Sequence, residues 1–181
     1  YSGDLAIQGD RIAAIGDLST AKADTIIDAK GMFIFPGGVD VHTHLDMPFM
    51  GTSSSDDFET GTIAAAFGGT TSLVDFAIQQ HGETLSNTLK IWKKKAEGKA
   101  SIDYGFHIAI MDVNDSIIKE MGAMVEEGIT SFKLFLAYKG SLMVDDAAIF
   151  QILEKSKEIG ALVMVHAENG HLIDILTKQL L

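Results

Sequence analysis

Residues 33–45 read FIFPGGVDVHTHL, an apolar run that ends in two closely spaced histidines. The valines before the histidines predict a strand over residues 39–45. Side chains two positions apart on a strand point to the same face, so His42 and His44 would leave one face at its carboxyl end. Two imidazoles placed in this way can share a metal ion. A His-x-His pair on a solvated strand has the same pattern, so the spacing alone leaves both interpretations open.

Composition narrows the classes of protein to which the chain can belong. Its 181 residues carry a formal net charge of −11, which argues against nucleic acid and anionic membranes as partners. It contains no cysteine, which excludes disulfides and zinc–thiolate sites. No apolar run approaches the ~20 residues needed to cross a bilayer, and no basic-then-apolar signal segment is present. We therefore expect a globular, cytoplasmic protein.

The first 36 residues have a pattern of short strands. Residues 4–8 and 11–15 flank a two-residue Gly-Asp turn and predict a hairpin. Further strands are predicted at residues 25–28 and 32–35. Because so few strands cannot bury both faces of a sheet, we interpret residues 1–36 as part of a small β-subdomain. The Pro-Gly-Gly sequence that follows marks its boundary.

Residues 37–181 alternate between strands and helices. After the histidine strand, strands are predicted at residues 70–77, 102–110, 130–135 and 161–166. Apolar stripes at helical spacing lie between them, among them Leu85, Leu89, Trp92 and Ala96, and later Ile149, Ile152, Leu153 and Ile159. Asp56 and Glu59 form a predicted capping pair, Asp145 is a further predicted N-cap, and Gly128 and Gly160 are predicted stops. This alternation predicts a parallel sheet, either doubly wound or closed into a barrel. No glycine-rich phosphate-binding turn follows a strand, which favours the barrel, whose functional groups lie at the carboxyl ends of the strands.

Two further strands carry chemically active side chains. Lys133 lies inside an otherwise apolar strand, where a charged ammonium is costly unless its pKa falls or it finds a partner. It could pair with a carboxylate or extend its amine to solvent. Alternatively, the neutral amine could capture carbon dioxide, and the resulting carbamate has two oxygens that can bridge two metal ions. His166 ends the fifth predicted strand, where a histidine alone would be interpreted as a satisfied core residue.

Taken in order on successive strands, His42, His44, Lys133 and His166 resemble the ligand set of the amidohydrolase superfamily of binuclear metal hydrolases. Residues 38–48 (GVDVHTHLDMP), 132–140 (FKLFLAYKG) and 165–169 (VHAEN) are similar to the dihydropyrimidinase/D-hydantoinase family. The resemblance covers essentially the whole chain. It implies an α/β fold, the first five βα units of a (β/α)8 TIM-like barrel over residues 37–181, preceded by part of a small β-sandwich subdomain over residues 1–36.

The resemblance also implies a site with two Zn²⁺ ions, or other divalent ions. His42 and His44 would hold the more buried ion and His166 the second, with N6-carboxylated Lys133 and a hydroxide bridging the two. Tyr138 corresponds to the family's tyrosine that donates a hydrogen bond to the oxyanion. Two aspartates that flank the histidine pair could orient the imidazoles or be ordinary polar residues; they are Asp40 and Asp46. Three histidines match no ligand motif and are interpreted as structural or solvated; they are His81, His107 and His171.

The implied activity is hydrolysis of the cyclic amide bond of dihydropyrimidines or hydantoins to N-carbamoyl amino acids. The expected partner is a small cyclic ureide, and the expected assembly is a homotetramer or homodimer. The family's further ligands, a histidine at the sixth strand and an aspartate at the eighth, have no counterpart in this sequence. We therefore expect the 181 residues to be a fragment of a longer polypeptide and to be inactive by themselves.

Other interpretations stay open at this point. Dihydropyrimidinase-related proteins of the cytoskeleton keep the fold but have lost metal ligands, whereas this chain retains four ligand positions. Allantoinase- and dihydroorotase-like relatives typically carry an arginine two residues after the second histidine. Asp46 stands there instead, which favours uncharged ureides. The choice between dihydrouracil and hydantoins is expected to depend on residues 47–52 and on the loop beyond Tyr138. A plain structural interpretation would make the histidines and Lys133 unrelated.

Overall fold

The computed structural model describes residues 1–49 and 51–181 and divides into two units, Tyr1–Pro36 and Gly37–Leu181. Met50, within the loop expected to influence substrate choice, lies outside the described residues. In the first unit, β1 (Asp4–Gln8) and β2 (Arg11–Gly16) pair antiparallel. Gly9 has a φ of 61° in the turn between them, a conformation that favours glycine. The predicted hairpin is confirmed.

The two further strands predicted in this unit are wrong. Residues 25–28 and 32–35 do not form strands, and their apolar side chains are exposed. A strand is defined by hydrogen bonds to a neighbour, and neither segment pairs with another part of the described chain. Their β-branched and aromatic residues indicate only a preference for strand structure. A strand forms only where a partner strand is available, and that partner is distant in sequence.

The second unit is built on a parallel sheet. The strands of this unit are β3 (Gly38–Thr43), β4 (Pro48–Phe49), β5 (Thr52–Ser53), β6 (Thr70–Ile78), β7 (Asp103–Ala109), β8 (Ser131–Phe135) and β9 (Leu162–His166). Five of them form the sheet in the order β3-β6-β7-β8-β9, and β4 and β5 form a small antiparallel pair. Since each strand of the five lies beside the next in sequence, the sheet grows in one direction, as in a barrel. The sheet is half a barrel, and the predicted fold class is confirmed.

Helices connect the strands of the sheet. They are α1 (Phe58–Phe67), α2 (Leu85–Ala96), α3 (Asp115–Glu126), α4 (Asp146–Ile159) and α5 (Gly170–Leu180). The predicted stripe of α2 is confirmed, since Leu85, Leu89 and Trp92 are buried in the core. On α4 the buried apolar residue is Ile152, whereas Leu153, predicted in the same stripe, is half exposed. No helix in the described part of the chain is long and apolar enough to cross a membrane.

The helix ends follow the predicted capping chemistry with one correction. The N-cap of α1 is Asp57, not Asp56: its Oδ1 accepts hydrogen bonds from the amides of Glu59 and Thr60, each at 3.0 Å. Thr60 Oγ1 in turn accepts from the Asp57 amide at 3.2 Å, which completes a capping box. Both aspartates have suitable side chains, and the backbone conformation at Asp57 decides between them. The predicted caps of α4 at Asp145 and Gly160 are confirmed.

Candidate active site

The histidine pair lies at the carboxyl end of β3. The strand ends at Thr43, so His42 belongs to it and His44 follows one residue beyond, a shorter strand than predicted. The two imidazole rings are 5.2 Å apart between centroids. Both rest on the ring of Phe76 from β6, at 4.7 Å for His42 and 5.1 Å for His44. Phe76 is buried and therefore forms a fixed floor for the pair.

A buried carboxylate holds the backbone around His44. Asp75 Oδ2 accepts a hydrogen bond from Thr43 Oγ1 at 2.9 Å and another from the Leu45 amide at 2.8 Å. These two donors lie on either side of His44, so Asp75 restrains the chain at the second histidine. Sequence reasoning missed this residue. A lone acidic side chain in the apolar run of β6 was the available signal, since a buried carboxylate needs donors.

The burial of Asp75 predicts a pH-dependent stability. Burial raises its pKa from 3.8 to about 6, although the bonds from Leu45 and Thr43 act in the opposite direction. Between about pH 4 and pH 6 the folded state therefore binds a proton that the unfolded state has released. The free energy of unfolding of the protein should therefore fall as pH rises through this window, by on the order of 3 kcal/mol. Urea unfolding of chelator-treated protein at several pH values measures this.

The matched control for this prediction is Asp75→Asn, which keeps an oxygen acceptor for Thr43 and Leu45 but cannot titrate. We expect the variant to be more stable than the wild type at neutral pH, and the difference to vanish near pH 4. A difference that stays constant from pH 4 to pH 7 would contradict the raised pKa.

Lys133 lies near Phe76, the same ring that contacts the two histidines. Its side chain is buried, with 7% of its surface exposed, which disfavours extension of the amine to solvent. Its Nζ lies 5.9 Å from the ring centroid of Phe76 and 5.4 Å from that of Phe135. Burial lowers the pKa of Lys133, and the carboxylate of Glu168 acts in the opposite direction. A lowered pKa increases the share of neutral amine, the form that can react as a nucleophile.

His166 and Tyr138 lie beside the ring of Phe135. The His166 ring, at the end of β9, lies 5.6 Å from the Phe135 ring and 5.3 Å from the Tyr138 ring. His166 Nε2 contacts the carboxylate of Glu168. The sequence motifs assign no role to Glu168, although its carboxylate lies against the His166 ring.

Tyr138 has a strained backbone. Its φ is 63°, in the left-handed region that non-glycine residues rarely adopt. The Tyr138 carbonyl accepts hydrogen bonds from the amides of Ser141 and Leu142, each at 3.0 Å, which fold the loop after β8 into a tight turn. Strain of this kind persists where surrounding contacts hold it, and it is concentrated at functional sites.

One observation indicates that the histidine pair is suited to binding a metal ion. His44 Nδ1 is buried and, among the residues the structure describes, has no hydrogen-bond partner. Burial lowers the pKa of His44, and the nearby charges of His42 and Lys133 lower it further, which favours the neutral imidazole that a metal ligand must be. In residues 1–49 and 51–181 no three His, Cys, Asp or Glu side chains are grouped closely enough to hold an ion. The third side chain beside Phe76, together with His42 and His44, is Lys133.

The remaining polar residues near the site have other roles. Asp40 accepts from the backbone amide of His42 at 3.0 Å and so acts on the main chain. Asp46 lies 3.7 Å from Lys95 Nζ. His81 Nε2 lies 3.1 Å from the Ser141 carbonyl, and His171 is exposed. The structure thus brings His42, His44 and Lys133 together around Phe76, and His166 and Tyr138 together beside Phe135.

Comparison with known proteins places the chain among relatives. Residues 33–179 match the amidohydrolase family. The D-hydantoinase of Geobacillus stearothermophilus is 53% identical over 182 residues, which cover 100% of this chain and 39% of that protein. The dihydropyrimidinase of Rattus norvegicus is 41% identical over 184 residues, covering 98% of this chain and 36% of that protein.

A solved structure extends the likeness to the fold. The crystal structure of dihydropyrimidinase from Brevibacillus agri superposes with a TM-score of 0.95 at 54% identity, covering 99% of this chain and 39% of that one. This chain therefore spans about two fifths of the length of these relatives. The resemblance drawn from the three sequence motifs is confirmed. The chain belongs to the amidohydrolase family, in the branch that contains D-hydantoinases and dihydropyrimidinases.

Proposed function

We propose that the polypeptide containing these residues hydrolyses the ring amide bond of a small cyclic ureide, a dihydropyrimidine or a hydantoin, to an N-carbamoyl amino acid. The observation that carries the proposal is the meeting of two imidazoles and a buried lysine around Phe76. The names of the relatives, D-hydantoinase and dihydropyrimidinase, support the substrate class.

The residues that would hold two divalent ions, zinc by our proposal, are His42, His44, His166 and carboxylated Lys133. When bound, such a pair supplies Lewis acidity toward a carbonyl and makes water more acidic. The protein supplies two imidazoles packed on the buried ring of Phe76, and Asp75 accepts hydrogen bonds from the Thr43 hydroxyl and the Leu45 amide on either side of His44.

Lys133 takes part through a modified side chain. Its neutral amine attacks the carbon of carbon dioxide, forms an N–C bond and releases one proton, which leaves a carbamate with a single negative charge. The buried position favours this step, because it lowers the pKa of Lys133 and removes water that would stabilise the ammonium. The anion then offsets positive charge in the site, where an ammonium would repel a metal ion.

Tyr138 would act on the carbonyl oxygen of the substrate. Its phenol donates a hydrogen bond to that oxygen as negative charge develops during attack by water. The Phe49 ring lies 6.0 Å from the Tyr138 ring, so the tyrosine stands beside an aromatic wall suited to an uncharged ring. Asp46 in place of a cationic side chain supports the same preference.

The test uses the longest natural polypeptide that contains this sequence, purified and analysed for bound metal and for turnover. We expect two zinc ions per chain, hydrolysis of 5,6-dihydrouracil or hydantoin to the N-carbamoyl product, and loss of turnover on chelation with recovery on adding zinc. The isolated 181 residues are the internal control, and we expect them to show no turnover above a Lys133→Ala variant.

Two results would contradict the proposal. A polypeptide that binds no metal and hydrolyses no cyclic ureide would favour the non-catalytic relatives of the family. One that binds two zinc ions but hydrolyses only charged substrates such as dihydroorotate would favour the dihydroorotase-like alternative.

A further inference from the structure

His107 is a buried histidine that the proposed reaction does not use. It lies on β7, and only 8% of its surface is exposed. Its Nε2 lies 3.0 Å from the carbonyl oxygen of Val41 on β3, and its Nδ1 lies 2.5 Å from Ser131 Oγ on β8. The sheet neighbours of β7 are β6 and β8, so the contact with β3 passes over β6 across the concave interior of the sheet.

The partners of His107 determine its protonation. The Val41 carbonyl can only accept, so Nε2 carries the hydrogen and donates it. Nδ1 then accepts from the hydroxyl of Ser131. Burial lowers the pKa of His107, as do the charges of His42 and Lys133, while the bond to Val41 acts in the opposite direction. Both ring nitrogens of the neutral imidazole are thus engaged, which leaves none for a metal ion or for proton transfer.

The two bonds reach positions next to proposed metal ligands. Val41 immediately precedes His42, and Ser131 is two residues before Lys133, on the same face of β8. The β3–β6 ladder is irregular at this point, with pairing at Asp40 and again at Thr43 but none at Val41 or His42. The register with β6 is therefore irregular at His42. The His42 amide bonds to Asp40 Oδ1 there, and His107 holds the carbonyl of the preceding residue, Val41.

We propose that His107 is a positioning residue that fixes the spacing between His42 on β3 and Lys133 on β8. The proposal rests on the proposed function, since these two residues must hold the same pair of metal ions. The His107 ring also packs on Phe76 at 4.8 Å between centroids, the same ring that supports His42 and His44. The two hydrogen bonds of His107 and its packing on Phe76 together link four strands beneath the site, β3, β6, β7 and β8.

The test compares His107→Gln with His107→Asn in the longest natural polypeptide, loaded with zinc. A glutamine amide nitrogen can take the place of Nε2 and keep the bond to Val41, whereas an asparagine amide can replace only Nδ1. We expect His107→Asn to release zinc into excess chelator about 10–100-fold faster than the wild type and to lose kcat, and His107→Gln to release it much more slowly than His107→Asn.

Ile108→Ala tests for a purely structural role. Ile108 is the next residue of β7, lies on the opposite face of the strand and is fully buried. We expect this substitution to lower the melting temperature without accelerating zinc release from the folded protein. Ser131→Ala, which removes only a hydroxyl, should fold in any case and release zinc several-fold faster than the wild type. Each zinc-release rate is measured below the melting temperature of the variant.

The proposal is overturned if His107→Asn and His107→Gln release zinc at equal rates, or if Ile108→Ala accelerates release as much as His107→Asn. Unchanged release from Ser131→Ala would also overturn it, since the link to β8 would then carry no restraint. These results leave the proposed function standing, because they compare variants of an active wild type. A wild type without zinc and without turnover would overturn both.

Discussion

Replacement of Lys133 by alanine is expected to abolish activity and to release bound metal. Lys133 is the one proposed ligand that would contact both ions, and its loss removes the anion that offsets their charge. We expect kcat/KM to fall by at least about 10⁴-fold, the scale seen when one member of a cooperating catalytic set is removed. Metal content per chain and turnover of dihydrouracil or hydantoin, measured on the same preparation, check this.

The matched control is Lys94→Ala on the exposed side of α2, which should retain wild-type metal content and activity. A second arm tests the carbamate itself. Metal-depleted protein that is refilled with zinc should recover activity faster with bicarbonate present than in bicarbonate-free buffer, because Lys133 needs carbon dioxide to become a ligand. A Lys133→Ala protein that keeps two zinc ions, or recovery that is indifferent to bicarbonate, would contradict the assignment.

The second large effect is expected from Tyr138→Phe. Removing a single donor to an oxyanion typically costs about 10²–10³-fold in kcat, and the change deletes only the phenol oxygen. The strained φ of 63° is common to both proteins, so we expect stability, metal content and KM to change little. Steady-state kinetics with the preferred cyclic ureide, together with thermal unfolding, check this.

Tyr104→Phe provides a control of almost identical exposure, since Tyr104 is 39% exposed and Tyr138 is 38% exposed. Tyr104 lies near the amino end of β7 and contacts Phe58 and Phe106, outside the proposed site. We expect Tyr104→Phe, which removes only the phenol oxygen, to leave kcat unchanged. Equal kcat values for the two variants would show that the Tyr138 hydroxyl makes no contact with the reacting group.

The fold could be predicted largely from local patterns. Alternation between strands and helices of the right length identifies the units, and the apolar stripe of α2 identifies its buried face. Prediction failed where the outcome depends on distant residues. Residues 25–28 have strand-forming composition but no partner in the described chain, and the choice of Asp57 over Asp56 as a helix cap depends on main-chain conformation.

The same distinction between local and long-range information applies to the candidate site. The sequence motifs predict His42, His44, Lys133, His166 and Tyr138, because residue types and spacing are visible in a chain. The sequence could not show that Asp75 restrains the backbone beside His44, or that the unassigned His107 joins β3 to β8. Both residues act across 24 to 66 positions of sequence.

The sequence by itself determined the family, the order of the βα units and the candidate metal ligands, since each of these depends on residue types at recognisable spacing. The tertiary structure alone decided how those residues are held. Curvature of the sheet brings β3 within hydrogen-bond reach of His107, and burial shifts the pKa values of Lys133, His44 and Asp75. Burial and long-range hydrogen bonds arise only when strands distant in sequence become neighbours, so local sequence patterns do not reveal them.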